Sequence, residues 1–277
     1  MCIRDSFYAD YLGNLGTSLD AGGTSFSSWI GGSTAYVNIW YDQSGDNYHA
    51  SQATTSYQPV FYYSSKMLDF AGQTNSYLNM GTYGPIPTGI TNAPYTFILK
   101  NGSVPSGSHT FCYGGSASTS AGNGMESKDT VNYNNYWYAN DMIFASFGVG
   151  NTVVVTYNGG TRYGYINGSL VASQTASGYT ATAGVQQYIG RNPNAGESCL
   201  NGQLYYLQIY NVALSDADRI QATTGTVTYK IVPQKTTALN GFQYPRDANP
   251  ESNSLNYTGY SSTLFSRYTY GLSLIHI

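Results

Sequence analysis

Tyr36-Val37-Asn38-Ile39-Trp40-Tyr41-Asp42-Gln43-Ser44-Gly45-Asp46-Asn47-Tyr48-His49-Ala50-Ser51-Gln52 is the stretch that decides the fold. Its first half alternates large β-formers with a polar residue, the pattern of a pleated, half-buried strand. Residues 42–47 are turn chemistry: Asp42 can bond its own backbone two residues on, and Gly45 accepts a positive φ without steric cost. A strand therefore runs into an Asp-rich corner and resumes at Tyr48. On that alternation Trp40 belongs to the core.

Working outward, short strands recur at regular spacing. Gln58-Pro59-Val60-Phe61-Tyr62 reads as an edge strand, because proline cannot donate to a ladder. Residues 67–70, 77–80, 95–100, 109–113, 133–144, 185–190 and 204–210 carry further strand patterns. Residues 152–172 hold the clearest hairpin signal, with turns at Asn158-Gly159-Gly160 and Asn167-Gly168 between β-branched runs. Ser25 to Ile30 reads as a short helix capped by Ser25. The helix 214–220 carries Ser215 at its N-cap and Asp218 three residues on, a variant capping box. Many short strands and one closing helix predict an all-β, two-sheet antiparallel sandwich over residues 7–221. Residues 222–272 are Asn-, Ser- and Tyr-rich after a possible strand at 227–232, and read as an extension or truncated second module. Residues 1–6 and 273–277 read as non-native termini, so flanking domains of a longer chain are expected.

Composition narrows the function classes. The chain has 29 Tyr and 32 Gly, 15% aromatic and only 9% charged residues, with 11 Lys+Arg and a formal net charge of −3. The scattered basic residues form no stripe able to displace counterions, which excludes nucleic acid as a partner. No apolar run approaches the ~18 residues of a membrane span. Cys2, Cys112 and Cys199 match neither a disulfide framework nor a zinc pattern; Cys112 and Cys199 are either a pair or two free thiols. His49, His109 and His276 have no ligand-spaced partners.

Four motifs, in order, resemble concanavalin A-like, laminin-G-like jelly-roll domains. They are Trp40-Tyr41-Asp42-Gln43-Ser44-Gly45, Leu68-Asp69-Phe70-Ala71-Gly72, the Val154-Val155-Thr156-Tyr157 hairpin closed by Tyr165-Ile166-Asn167-Gly168, and Ile209-Tyr210-Asn211-Val212-Ala213-Leu214-Ser215-Asp216. The resemblance implies two stacked antiparallel sheets with one concave face, and glycan or protein binding. A narrower resemblance links Tyr41 to Gly45, with His49 and Gln52, to the catalytic sandwich of the family 54 α-L-arabinofuranosidases. It carries a Glu nucleophile onto Glu126, in Gly122-Asn123-Gly124-Met125-Glu126. The acid/base position falls on Asn192, which cannot protonate a leaving group. Asp141, Glu197 and Asp129 are the candidate substitutes. A retaining glycosidase needs two carboxyl groups about 5–5.5 Å apart.

Other site expectations come from residue chemistry. Tyr136, Trp137, Tyr138, Asn140 and Asp141, with Asn192, are the candidate ligand-binding set, because aromatic faces stack on sugars while amides and carboxylates bond hydroxyls. Asp42 and Asp46 could ligate calcium, but a self-bonded turn explains them as well. No other cofactor is indicated. Glu126 follows a Gly/Ser loop and is either a site carboxylate or a solvated loop residue. His49 is expected to be a polar strand residue bonded to backbone. The sequence thus points to a non-catalytic carbohydrate- or surface-binding module of an extracellular or virion-surface protein. The alternatives are a divergent arabinofuranosidase-like hydrolase and a purely structural sandwich.

Overall fold

The computed structural model describes residues 6–9, 15–18, 25–42, 46–71, 75–105, 107–129, 131–145, 147–193, 198–224 and 270–276. In chain order the elements are β1 (Ser6–Ala9), β2 (Leu15–Ser18), α1 (Phe26–Ile30), β3 (Ala35–Tyr36), β4 (Ile39–Asp42), β5 (Ala50–Ser51), β6 (Val60–Tyr62), β7 (Met67–Asp69), β8 (Leu78–Gly81), β9 (Tyr95–Asn101) and β10 (His109–Gly115). They continue as β11 (Gly122–Ser127), β12 (Asn132–Tyr136), β13 (Met142–Ala145), β14 (Thr152–Tyr157), β15 (Thr161–Ile166), β16 (Ser169–Thr175), β17 (Gln187–Ile189), β18 (Arg191–Asn192), β19 (Ser198–Cys199), β20 (Gln203–Tyr210), α2 (Asp216–Thr224) and β21 (Tyr270–His276).

The strands form two antiparallel sheets, each with a run of eight strands at its centre, the concanavalin A-like sandwich that the sequence predicts. The first sheet runs β13–β12–β11–β10–β17–β8–β5–β4. At its β4 edge β21 adds, followed by β1 and β2. The second runs β16–β15–β14–β9–β20–β7–β6–β3. Alternation does most of the work. Val153, Val155 and Tyr157 of β14 join Tyr95, Phe97 and Leu99 of β9 in the core, facing Phe111, Met125, Tyr133 and Leu78 of the first sheet. The opposite parity of the same strands sends Ile98 and Val154 outward, where Tyr210 and Leu214 cover them. A side-chain period of two makes this partition follow directly from register.

The predicted caps and turns are present. Ser25 Oγ accepts the Ser28 N–H at 3.3 Å, and Ser215 Oγ accepts the Asp218 N–H at 3.2 Å. The hairpin turn holds Asn167 at φ 49° and Gly168 at φ 86°, the left-handed pair that an Asn-Gly turn needs. Trp40 is core, at 3% exposure.

Two expectations are corrected. The opening strand is not continuous: it breaks at residues 37–38 between β3 and β4, and the Val37 N–H still donates to the Pro59 carbonyl as the last rung of the β3–β6 pairing. β6 is not an edge strand, since β3 and β7 flank it; Pro59 stands at its start, where its carbonyl accepts the Val37 N–H and it returns no N–H of its own. Among the described residues the helices are α1, the Ser25-capped helix that the sequence suggests, and α2. β1 and β2 pair antiparallel. The possible strand at 227–232, and most of the 222–272 extension, lie outside the described residues. Cys112 and Cys199 form no disulfide with each other, and burial pushes the Cys112 thiol up to about 12.

Candidate functional site on the outer face of the first sheet

Strand parity builds the site. Met125 points into the core, so Glu126 projects from the opposite face of β11. Register then sets its neighbours: Thr110 of β10 and Asn134 of β12 lie directly across from it. Gly124 in the same face stands between Tyr113 and Tyr136. A Cβ on Gly122 would collide with the Tyr113 hydroxyl, and one on Gly124 would lie 3.1 Å from the Tyr113 ring. The glycines before Met125 thus let Tyr113 lie flat across β11, with its ring 5.7 Å from that of Tyr136.

Glu126 is no solvated loop residue: it sits mid-strand at 2% exposure. Its Oε1 accepts from Asn134 Nδ2 at 2.7 Å, and the same nitrogen donates to Asp141 Oδ2 at 3.1 Å. Two acidic acceptors fix which end of the Asn134 amide is nitrogen. Sharing one amide nitrogen, the two bonded carboxyl oxygens lie within about 6 Å of each other. Burial pushes the Glu126 carboxyl up to about 7, against the pull of the Asn134 bond and of Lys128. Asp141, half-buried, also accepts the Trp137 N–H at 3.1 Å. Burial, then the nearby Tyr113, Asp141 and Glu126, hold the Tyr136 phenol well above its ordinary value.

The candidate ligand set is split by the same parity. Tyr136 and Tyr138 are half-buried, with rings 6.1 Å apart at 89°, and Asn140 beside them is exposed. Trp137 faces the other way and has no surface to offer a ligand. It is fully buried, with the Tyr179 ring stacked at 4.4 Å and the Arg162 guanidinium 4.0 Å from its centroid. Asn192 is also fully buried, in β18 opposite Ser198, and presents no open surface either. Asp141 is therefore the carboxylate brought to Glu126. Asp129 instead closes its own turn, accepting the Val131 and Asn132 N–H groups at 2.7 Å each. Glu197 lies outside the described residues.

A buried polar network supports this face from beneath. Asn135, on the core side of β12, receives the Tyr95 hydroxyl at 2.7 Å and donates to the Gly124 carbonyl at 2.9 Å. Trp137 Nε1 donates to the Tyr95 hydroxyl at 3.0 Å. Arg162 reaches across from β15 and donates to the carbonyls of Asn135 and Asn140, at 3.1 and 2.5 Å, and to the Gln174 side chain. Burial pulls Arg162 below its ordinary value. No signal in the sequence marked Arg162, Asn134 or Asn135, since their importance depends on cross-sheet contacts.

At the Asp-rich corner, Asp42 Oδ2 accepts the Tyr48 N–H at 3.0 Å and His49 Nδ1 accepts the Asp42 N–H at 3.1 Å. Asp42 is buried and Asp46 exposed. Among the described residues no group of three or more His, Cys, Asp or Glu side chains is arranged to hold a metal. No helix among them is long and apolar enough to cross a membrane.

No curated protein matches the chain. Three solved structures share part of its course. A candidate carbohydrate-binding protein of Bacteroides ovatus is 13% identical over 47% of this chain and 41% of its own, with a TM-score of 0.37. The heptameric SAP-like pentraxin of Limulus polyphemus is 17% identical over 47% of this chain and 71% of its own, at 0.35. The CBM40 module of the Ruminococcus gnavus IT-sialidase is 13% identical over 69% of this chain and 96% of its own, at 0.40. The chain thus spans under half the length of the Bacteroides ovatus protein. Residues 100–218, from the end of β9 into α2, match a family model described as the concanavalin A-like lectin/glucanases superfamily.

Proposed function

We propose that the chain is a carbohydrate-binding sandwich, a module of a larger extracellular or virion-surface protein. Its glycan is read at the β12–β13 end of the first sheet. The observation that carries this reading is the half-open pair Tyr136 and Tyr138, beside Asp141, above the buried Glu126–Asn134 pair. Perpendicular aromatic rings give a sugar one stacking face and one edge, and the carboxylate and amides bond its hydroxyls. The match of residues 100–218 to a lectin and glucanase superfamily supports the same reading. A glycan array spanning plant, algal and bacterial polysaccharides tests it. Binding that is lost in Tyr136→Ala and Tyr138→Ala is expected, and an array with no binding to wild type would sink the proposal.

One observation favours a second reading, glycoside hydrolysis. Asn134 Nδ2 bonds the Glu126 and Asp141 carboxyls at 2.7 and 3.1 Å, so two carboxyl groups share one site, as a glycosidase requires. Burial keeps Glu126 protonated to about pH 7, which suits a general acid, while half-buried Asp141 is the group open to an anomeric carbon. Aryl α-L-arabinofuranosides and related aryl glycosides give the test. Turnover lost in both Glu126→Gln and Asp141→Asn would establish hydrolysis, and binding without turnover would leave the module non-catalytic.

A further inference from the structure

The outer face of the first sheet carries a second group of open aromatic rings, well away from Tyr136. Residues directly opposed on neighbouring strands share a face. The ladder register therefore draws one row across the sheet: Tyr136 of β12, Gly124 of β11, Tyr113 of β10, Tyr188 of β17 and Asn79 of β8. Tyr77 precedes Asn79 by two residues, with the buried Leu78 between them, and falls on the same face. Its ring meets that of Tyr188 at 5.6 Å and 79°. Tyr57 adds a third ring, 5.8 Å from Tyr77, and its carbonyl accepts the Tyr77 N–H at 3.0 Å. Tyr77 and Tyr188 are half-buried, and Tyr57 is 39% exposed. The Arg191 guanidinium lies 4.8 Å from the Tyr77 ring centroid and 5.7 Å from that of Tyr188, which holds both rings in place.

We propose that the ligand is an extended, linear polysaccharide laid across the strands of this face, with a first subsite at Tyr136 and Tyr138 and a second at Tyr57, Tyr77 and Tyr188. The second subsite rests on the glycan reading above, to which it adds the length of the ligand and where its far end lies.

Spacing and chemistry both point to a chain. Tyr136 and Tyr188 stand three strand spacings apart, ~14 Å at ~4.8 Å each, so no single sugar ring touches both. Between them the row does not rise. Gly124 has no side chain, and Tyr113, itself enclosed, lies flat across β11. A chain passing from one group of rings to the other thus meets the face at its two ends. Both ends offer the same mixture, rings to stack on sugar C–H surfaces and polar groups to bond hydroxyls. At the first end the polar groups are half-buried Asp141 and exposed Asn140. At the second it is half-buried Asn79, whose Oδ1 accepts the Gly81 N–H at 2.7 Å, so that its amide nitrogen is the donor offered to a hydroxyl. Rings already fixed by a bonded backbone and a stacked guanidinium lose little freedom when a ligand arrives.

Titration calorimetry on the full chain is the test. The probes are the two-unit and six-unit fractions from an acid hydrolysate of the polysaccharide bound best on the glycan array. The six-unit fraction is expected to bind about tenfold tighter than the two-unit fraction, since it alone reaches the second group of rings. In Tyr57→Ala and in Tyr188→Ala that ratio should fall below about threefold, which separates ring contact from the extra registers that any longer chain offers. Equal affinity of the two fractions for wild type, or a ratio that survives both substitutions, overturns the second subsite and leaves the glycan reading standing. An array with no binding overturns both. Should Tyr188→Ala fail to fold, Tyr57→Ala decides, because Tyr57 is exposed and lies between β5 and β6 rather than in a strand.

Discussion

The two outer faces of the sandwich are finished in opposite ways. Over the second sheet, Ile98, Val154, Tyr210 and Leu214 form a dry cluster, sealed by Val212 and by Ala222 of α2. Thr96 ties that lid down, its hydroxyl donating to the Val212 carbonyl and accepting the Leu214 N–H, at 2.8 and 2.9 Å. Over the first sheet at β10–β12 the enclosed residues are Thr110, Glu126 and Asn134. Apolar burial stabilises by roughly 25 cal/mol per Å², whereas enclosing a carboxyl works against folding once it ionises. A chain needing only a stable sandwich would use the first solution twice. The acid it keeps under the β12–β13 turn works against stability above neutral pH, which supports the site proposed on this face.

The contrast can be broken at several points. The largest effect belongs to the dry face: Ile98→Ala should cost about 3 kcal/mol, as large-to-small core changes do, read by chemical denaturation. A cost below about 1 kcal/mol would mean that the α2 lid is loosely packed. The polar face should instead respond to pH. The folded Glu126 carboxyl, at about 7, lies above its unfolded value. Its protonated form therefore supports the fold fully below the unfolded value, and that support is lost as pH rises through 7. Glu126→Gln should gain up to about 3 kcal/mol over wild type at pH 8 and little at pH 4, since a carboxyl held one pH unit above its unfolded value is worth about 1.4 kcal/mol. Equal effects at both pH values would mean that Glu126 is not held as an acid. Ser215→Ala, which strips the α2 cap, should cost about 1 kcal/mol independent of pH, measured by thermal melting; a pH-dependent loss would couple the two faces. The smallest effect is expected at the Asp-rich corner. Asp42 already closes its turn on the Tyr48 N–H, so millimolar calcium should leave the melting temperature unmoved. A rise that Asp46→Asn removes would place a cation there.

Most of the fold is legible in the order of residues alone. The succession of motifs carries it, because alternation, Asn-Gly turns and the Ser215 cap are local statements that tertiary packing has no reason to overrule. The site is legible only in fragments. Tyr136, Trp137 and Tyr138 are consecutive and chemically alike, yet one residue of parity separates a half-open ring from a fully buried one. Nothing local says which parity wins. The partnership of Glu126 with Asp141 depends on Asn134, and hence on the β11–β12 register, which short turns and Gly-rich strands specify weakly in sequence. Glu126 itself stands out through a resemblance and its place after Gly-Asn-Gly. Its burial comes from neighbours on other strands and cannot be read from its own surroundings in the chain.

Arg162 has a further consequence, for how such a module can diversify. Its guanidinium bonds the main-chain carbonyls of Asn135 and Asn140, acceptors that persist whatever side chains stand there. The loop bearing Tyr138 and Asn140 is thus fastened by its backbone to the opposite sheet. Its exposed side chains can be exchanged by mutation while its path stays fixed, much as a hypervariable loop is carried on an invariant frame. New ligand preferences at this rim should then be reachable by single substitutions without refolding the rim itself.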